Sequence, residues 1–366
     1  MKRIGRGSYG YGHSYGYGGQ EQEDRLSSLS DDILICILSY VDTKLAVQSS
    51  ILSKRWEKVW PSLPVLNFNF ADLDTSVHDV NYDNFIREVL VHRNESVTIG
   101  RLNIKVTDYE IVARVFRYAL LNNVSDLSVD TSEKIGEYHP ISCVESSDLL
   151  MSLSLKGMLK FGKFPSFVGL VSLRLERVKI VESEPFSSFP NLEKLFLVNC
   201  KMETGLTGLE VVASRLSRLT ISSCFHIPIP YPGFVLSTPN LLVFELEGLV
   251  PMSFKAFDGL RRLQTVYIDF CFSQSVHLLE FDQQKLNLID ILGCLKNARC
   301  VHLSPSTVEL LSLCGSMLVE EHCPFEDLKF LNLIPPPNKP AAQLGSSVAA
   351  YLLKDCPRAV VKALPR

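Results

Sequence analysis

Apolar side chains recur along most of the chain at positions 1, 4 and 6 of a six-residue window, with polar or mixed residues between them. In a chain this apolar such a window arises by chance at roughly one start in twenty, so only the spacing between windows informs. A consistent series begins at Leu63, Ile99, Val124, Leu150, Leu170, Leu192, Leu216, Leu241, Leu263, Ala298 and Leu328. Its intervals are 36, 25, 26, 20, 22, 24, 25, 22, 35 and 30 residues. Each window predicts a short strand with positions 4 and 6 turned inward and positions 3, 5 and 7 turned to solvent. Repetition at a period of 20 to 26 predicts that these strands stack side by side in a curved parallel sheet, each repeat burying the next.

Several of the intervals hold helical patterns. These fall at 81–93, at 108–122 behind a capping box at Thr107 and Glu110, and at 283–297. In the last of these Leu286, Ile289 and Leu292 form one stripe, with Leu288 and Leu295 beside it. Ser306 and Glu309 open a further helix. All of these are expected on the convex side of the sheet. Pro335, Pro336, Pro337 and Pro340 then interrupt the chain, and a helix (SVAAYLLKD) with a short strand (AVVKAL) closes the open end.

Three short helices precede the repeats. The first, in LSSLSDDILICILSYV, has Ser30 at its N-cap, Asp31 and Asp32 in its first turn, and an apolar stripe of Ile33, Leu34, Ile37, Leu38 and Val41. The second, TKLAVQSSI, carries Leu45, Ala46 and Val47. The third, SKRWEKVW, is capped by Ser53 and holds Trp56 and Trp60, the two tryptophans of the chain. The segment is small for a core and apolar on more than one side, which predicts that something covers one of those sides. Residues 1–23 differ from everything after them. Seven of the 20 glycines and four of the 12 tyrosines lie in the first 19 positions, a composition expected to be disordered. The Gly5-x-Gly7-x-x-Gly10 run there has no strand before it and no helix after it, so it is not a dinucleotide site.

Composition narrows the function classes. The 366 residues carry a net charge of −3, which argues against nucleic-acid and polybasic membrane-surface binding. No run of 18 apolar residues exists to span a bilayer, and the N-terminus lacks the apolar stretch of a secretory signal, so the expectation is cytoplasm or nucleus. There the ten cysteines stay reduced, and none sits at zinc-finger spacing. No nucleophile elbow, P-loop or H-E-x-x-H motif is present, so neither an enzyme nor a metal or cofactor protein is expected. Three cysteines, Cys200, Cys224 and Cys271, fall at the ninth position of their windows and are expected to be buried at the turn leaving the strand.

The residues Leu29-x-Asp31-Asp32-x-Leu34, Thr43-Lys44-x-Ala46-Val47 and Leu52-Ser53-Lys54-Arg55-Trp56, with Trp60, resemble the F-box motif in its plant form. Ser30 and Asp42 stand where family members usually carry proline. The repeats that follow resemble leucine-rich repeats, whose ninth position favours Asn or Cys. The C-terminal CPFEDLKFLNL and VAAYLLKDCPRAVVKAL are similar to the FBD region of plant F-box proteins. The resemblance implies an α/β chain with a three-helix F-box (24–64), an irregular leucine-rich-repeat solenoid (65–335) and an FBD-like cap (336–366). It also implies a substrate-recognition subunit of an SCF (Skp–cullin–F-box) ubiquitin ligase. An F-box scaffold outside a cullin ligase, or a degenerate F-box that binds nothing, are the alternatives.

On this reading Leu29, Ile33, Leu34, Ile37, Leu38, Leu45, Ala46 and Val47 meet a Skp-type adaptor and, through it, cullin. An unknown target protein meets the concave face, where alternation projects Arg174, Lys194, Phe196, Arg218, Glu245, Tyr267 and His302. Aromatic and arginine side chains amid polar ones are the usual make-up of a protein-binding surface.

Overall fold

The computed structural model describes residues 26–363 except 27, 70–79, 107–108, 133–135, 142–145, 207, 223–232, 272–277 and 336–343. The Gly/Tyr-rich stretch, Thr107 of the capping box and Cys224 therefore lie outside the described residues.

Three short helices come first: α1 (Asp31–Leu38), α2 (Thr43–Gln48) and α3 (Trp56–Val59). Ser30 occupies the N-cap position of α1, but its side chain makes no capping bond. The Asp42 carboxylate does cap α2, accepting from the Leu45 N–H at 2.7 Å. Ser53 does not cap the third helix as its sequence suggests. That helix begins later, at Trp56, and only the Ser53 carbonyl is used, accepting from the Glu57 N–H. Leu34, Leu38, Ala46, Trp56 and Val59 are buried between the helices. Arg55 fastens the far end of this segment to its start by pairing with Asp31 at 2.8 Å and donating to the Leu29 carbonyl.

Every window then becomes a strand, and each strand begins at the third position of its window. The strands are Val65–Phe68, Arg101–Lys105, Asp126–Thr131, Ser152–Gly157, Ser172–Glu176, Lys194–Val198, Arg218–Ser222, Val243–Leu249, Thr265–Cys271, Cys300–Leu303 and Phe330–Leu333. A twelfth, Val360–Ala363, completes one sheet in which neighbours in sequence are parallel neighbours in space. Register never slips. Third positions lie side by side from Val65 and Arg101 through Lys194 and Arg218 to Phe330 and Val360. Positions 1, 4 and 6 are buried in all eleven windows. Each such leucine withdrawn from water contributes about 1.5–3 kcal/mol, and a one-residue slip would turn the whole set to solvent.

The back of the sheet is less uniform than the sequence suggests. Helices α4 (Val80–His92) and α5 (Tyr109–Leu121) fill the early crossovers. Helices α6 (Leu278–Cys294), α7 (Pro305–Leu313), α8 (Gly315–Leu318) and α9 (Ser346–Leu353) fill the late ones. The crossovers between Val124 and Leu263, 20 to 26 residues from window to window, hold no helix among the described residues, although the 25-residue interval before them holds α5. They run instead through short strands that pair into a four-stranded sheet ending at Lys201–Met202 and a three-stranded sheet of Gly208–Val212, Gly233–Ser237 and Phe254–Ala256. Beneath them Phe161, Phe164, Phe167, Phe186 and Phe189 pack ring against ring, the closest centroids 4.7 Å apart.

Two helix details depart from the sequence pattern. Ser304, not Ser306, caps α7, because its side chain accepts from the Thr307 N–H and Pro305 fills the first helical position. Leu286 is exposed, since α6 begins at Leu278 and buries Leu288, Ile289, Ile291, Leu292 and Leu295 instead.

The ninth position splits. Among the described residues, residue 8 has positive φ in four repeats, at Gly157, Arg177, Asn199 and Gly248. At Asn199 this turn reverses the alternation, so Cys200 is buried and its thiol donates to the Leu175 carbonyl at 3.4 Å. At Phe270 the strand simply continues, and Cys271 is therefore exposed with the other odd positions, contrary to expectation.

Leu195→Ala and Leu219→Ala are each expected to lower the unfolding free energy by about 2–5 kcal/mol, read by urea denaturation. Ser172→Ala, on the solvent side of the same sheet, should change it by less than about 0.5 kcal/mol. Equal losses at inward and outward positions would contradict the burial pattern.

Candidate interaction surfaces

The three-helix segment is apolar on two faces, and only one of them is its core. On α1, Leu34 and Leu38 point inward while Ile33 and Ile37, also one turn apart, are exposed. On α2, Thr43 and Ala46 are buried and Leu45 is exposed. Beyond it Ile51 and Leu52 are 88% and 62% exposed. With Leu26 and Tyr40, seven of the 22 exposed large apolar side chains among the described residues fall within residues 26–52. Water disfavours this density, and an apolar surface of this kind marks an interaction site.

The adaptor contacts expected from the sequence thus divide. Ile33, Ile37 and Leu45 are presented to solvent, and Leu29 and Val47 are half-buried against the core. Leu34, Leu38 and Ala46 are core residues and hold up the surface from behind, a correction to their assignment as contacts. Ile51, Leu52, Tyr40 and Leu26 are exposed apolar residues that helical periodicity did not single out. The first two lie at the irregular join between helices, where no stripe can be read.

The same segment is fixed to the sheet. Thr43 Oγ1 accepts from the Asn67 N–H of the first strand at 2.7 Å, and α2 packs on that strand. The carbonyls of Pro61 and Pro64 accept from Asn94 and Gly100 at 2.8 Å.

The open face of the sheet presents three columns of side chains, one for each outward position. In the third column Arg101 pairs with Asp126 at 2.8 Å. In the seventh, Lys156 stands between Asp130 and Glu176, at 3.8 and 3.2 Å. Lys156 follows from the register of the Leu150 window, together with Ser152 and Ser154. Arg174 pairs with Glu176 at 3.2 Å and lies over the Phe196 ring. Arg218 pairs with Glu245 at 2.7 Å, and Thr220 donates to the other carboxylate oxygen. Lys194 is exposed, and Tyr267 is exposed with one face against His302, rings 4.0 Å apart.

His302 itself is only 8% exposed, so it backs Tyr267 and does not present a surface of its own. Its Nε2 lies 3.3 Å from the Cys300 thiol and 3.4 Å from the Asn332 amide, while Nδ1 is buried without a protein partner. Burial lowers the imidazole pKa and raises that of the thiol, so the pair is a neutral packing contact and not an activated nucleophile. Among the described residues no three His, Cys, Asp or Glu side chains come together to hold a metal. No helix among them is long and apolar enough to cross a membrane.

Because His302 resists protonation when folded, the unfolded chain takes up a proton there as the pH falls below 6.5. That part of the stability is complete above 6.5 and is lost on acidification. His302→Asn should therefore flatten the fall in urea-unfolding free energy between pH 6.5 and 5 relative to the parent chain. Parallel pH profiles for the two proteins would refute the assignment.

Comparison with known proteins follows the same division. The F-box domain profile matches residues 26–68, the three helices and the first strand. An F-box/FBD/LRR-repeat protein of Arabidopsis thaliana is 30% identical over 91% of this chain and 72% of its own length. An F-box/LRR-repeat protein of the same plant is 27% identical over 92% and 72%. An FBD-associated F-box protein is 32% identical over 61% of this chain and 56% of its own length. The F-box match falls on the helices, the relatives' names add leucine-rich repeats, and the chain belongs to the plant F-box/LRR-repeat family.

Proposed function

We propose that the chain is the substrate-recognition subunit of an SCF ubiquitin ligase, working in the cytoplasm or nucleus. One observation carries this reading. An F-box whose helices expose Ile33, Ile37, Leu45, Ile51 and Leu52 is anchored through Thr43 to a sheet whose open face mixes arginines and aromatics. A Skp-type adaptor covers the first surface and brings cullin with it. The second surface binds a target protein through Arg174, Lys194, Phe196, Arg218, Glu245 and Tyr267, with His302 behind Tyr267. Residues 24–64, 65–335 and 336–366 then act as adaptor module, target-binding solenoid and closing cap.

The chain on this reading makes and breaks no covalent bond. It holds target lysines near a ubiquitin-charged enzyme, converting a bimolecular encounter into one of high effective concentration. That gain requires stiffness between the two surfaces, and the Thr43–Asn67, Asn94–Pro61 and Gly100–Pro64 hydrogen bonds at their junction supply it.

Asp42 also bears on whether the F-box is degenerate. Where family members usually carry proline, its carboxylate caps α2, and a cap of this kind is worth about 1 kcal/mol. The helix start is therefore stabilised by different means, and that favours a working F-box. The scaffold alternative separates from the ligase by composition of the complex, since it would capture adaptor without cullin.

The full chain, tagged, should co-purify with a Skp-type adaptor and cullin. The double variant Ile33→Asp, Ile37→Asp should lose both while keeping the parent circular dichroism and unfolding midpoint. Leu34→Asp is not a clean test, because it places a charge in the core and unfolds the segment. Undiminished capture by the double variant, or no capture by the parent, would overturn the reading. Asp42→Ala should lower stability by about 1 kcal/mol in urea and weaken capture only as far as α2 frays.

A further inference from the structure

The in-register sheet allows the charges of the open face to be compared strand by strand, and they fall into two classes. Over the early strands the charges of the third and seventh columns face opposite ones in a neighbouring strand, and Arg174 in the fifth pairs with Glu176 of its own strand. Arg101 faces Asp126, and in the seventh column Lys105, Asp130, Lys156 and Glu176 alternate in sign. Such a face satisfies itself.

Two places in the large sheet break the rule. Lys194 and Arg218 are directly opposite one another in the third column, and Glu247 and Asp269 are directly opposite one another in the seventh. Like charges so placed are destabilising. Arg218 and Glu247 are partly relieved by Glu245 and Ser222, whereas Lys194 and Asp269 form no ion pair with a described residue. The two like-charge pairs lie on adjoining strands, two strands and four residues apart. At about 4.8 Å per strand and 3.3 Å per residue their centres are roughly 16 Å apart. Phe196, Thr220, Glu245 and Tyr267 occupy the fifth column between them.

We infer that the target segment bound by this face is an extended peptide of bipolar charge. Its acidic end seats on Lys194 and Arg218, its basic end on Glu247 and Asp269, and apolar side chains between them lie on Phe196 and Tyr267. The inference rests on the reading of the open face as the target-binding surface and specifies the chemistry of its partner. Opposite charges at both ends relieve both repulsions at once, which a uniformly acidic or basic partner cannot do. A span of roughly 16 Å is about five residues of extended chain. The free protein accepts the repulsion, as binding sites do when complementarity to a partner competes with stability.

Two fluorescein-labelled nine-residue peptides of identical composition test this. One has two Glu at one end, two Arg at the other and Leu, Tyr and Ser between; the other has the same charges alternated along its length. Fluorescence anisotropy with the full chain should show the bipolar peptide binding at least about tenfold tighter, with the difference shrinking as salt rises. Lys194→Gln and Asp269→Asn should each weaken the bipolar peptide severalfold while raising the unfolding midpoint of the free chain by about 1 °C. Equal affinity for the two peptides, no binding of either, or variants that bind the bipolar peptide as tightly as the parent would overturn the inference. Adaptor capture by the same preparations keeps the two readings apart. Capture retained with peptide discrimination lost sinks only the bipolar partner, and the reverse sinks only the ligase.

Discussion

Everything in this molecule depends on the unbroken register of twelve parallel strands, eleven of them held by apolar side chains at positions 1, 4 and 6 of their windows. Parallel strands cannot be joined by a tight turn, so each must be followed by a crossover over the back of the sheet. A crossover of any length is tolerated provided that the next window returns to the same level. This is why the intervals range from 20 to 36 residues while the strands do not slip. The register carries the function as well as the fold. It turns a linear pattern of residues at positions 3, 5 and 7 into a fixed two-dimensional array of charge and aromatic surface.

That dependence explains which features were legible in the sequence. The eleven strand starts were, because the period-two alternation inside a window and the spacing between windows are both local counts. The open-face residues named from the sequence follow from the same register, and Lys156, not among them, is reached by the same count. What was not legible was anything set by a single backbone torsion. Cys200 and Cys271 occupy the same position in their windows, yet Asn199 adopts positive φ and Phe270 does not, so one thiol is buried and the other exposed. Asn tolerates the left-handed conformation better than a bulky aromatic does. That difference between the two eighth residues is a signal present in the sequence.

The three-helix segment failed differently. Its helices were legible, but not which side of each faces the core. Leu34 with Leu38 and Ile33 with Ile37 both satisfy helical spacing on α1, and hydrophobicity does not rank them. The packing of Trp56 and Val59 decides the matter, and that is a contact between elements which no periodicity within one helix contains. The ambiguity is physical in origin. A segment that buries one apolar face against itself and exposes another satisfies helical spacing on both, so on the proposed function the property that serves a partner is the one that obscures its orientation.

The junction between helices and sheet joins these two arguments. Thr43 is buried on α2, one residue past the capping Asp42, and its hydroxyl takes the N–H of Asn67 in the first strand. A helix whose start is fixed by one side chain is thus fixed to the sheet by the next. A rotation of α2 that moved Leu45 would break the bond to Asn67, and a shift of the first strand would propagate through every ladder bond behind it. Orientation of the exposed apolar face and orientation of the open face are therefore one constraint, not two. On the proposed function, a subunit presenting a captured target at a set distance from a partner bound elsewhere needs that coupling, and a flexible linker of equal length would disperse the target over a volume growing steeply with its reach.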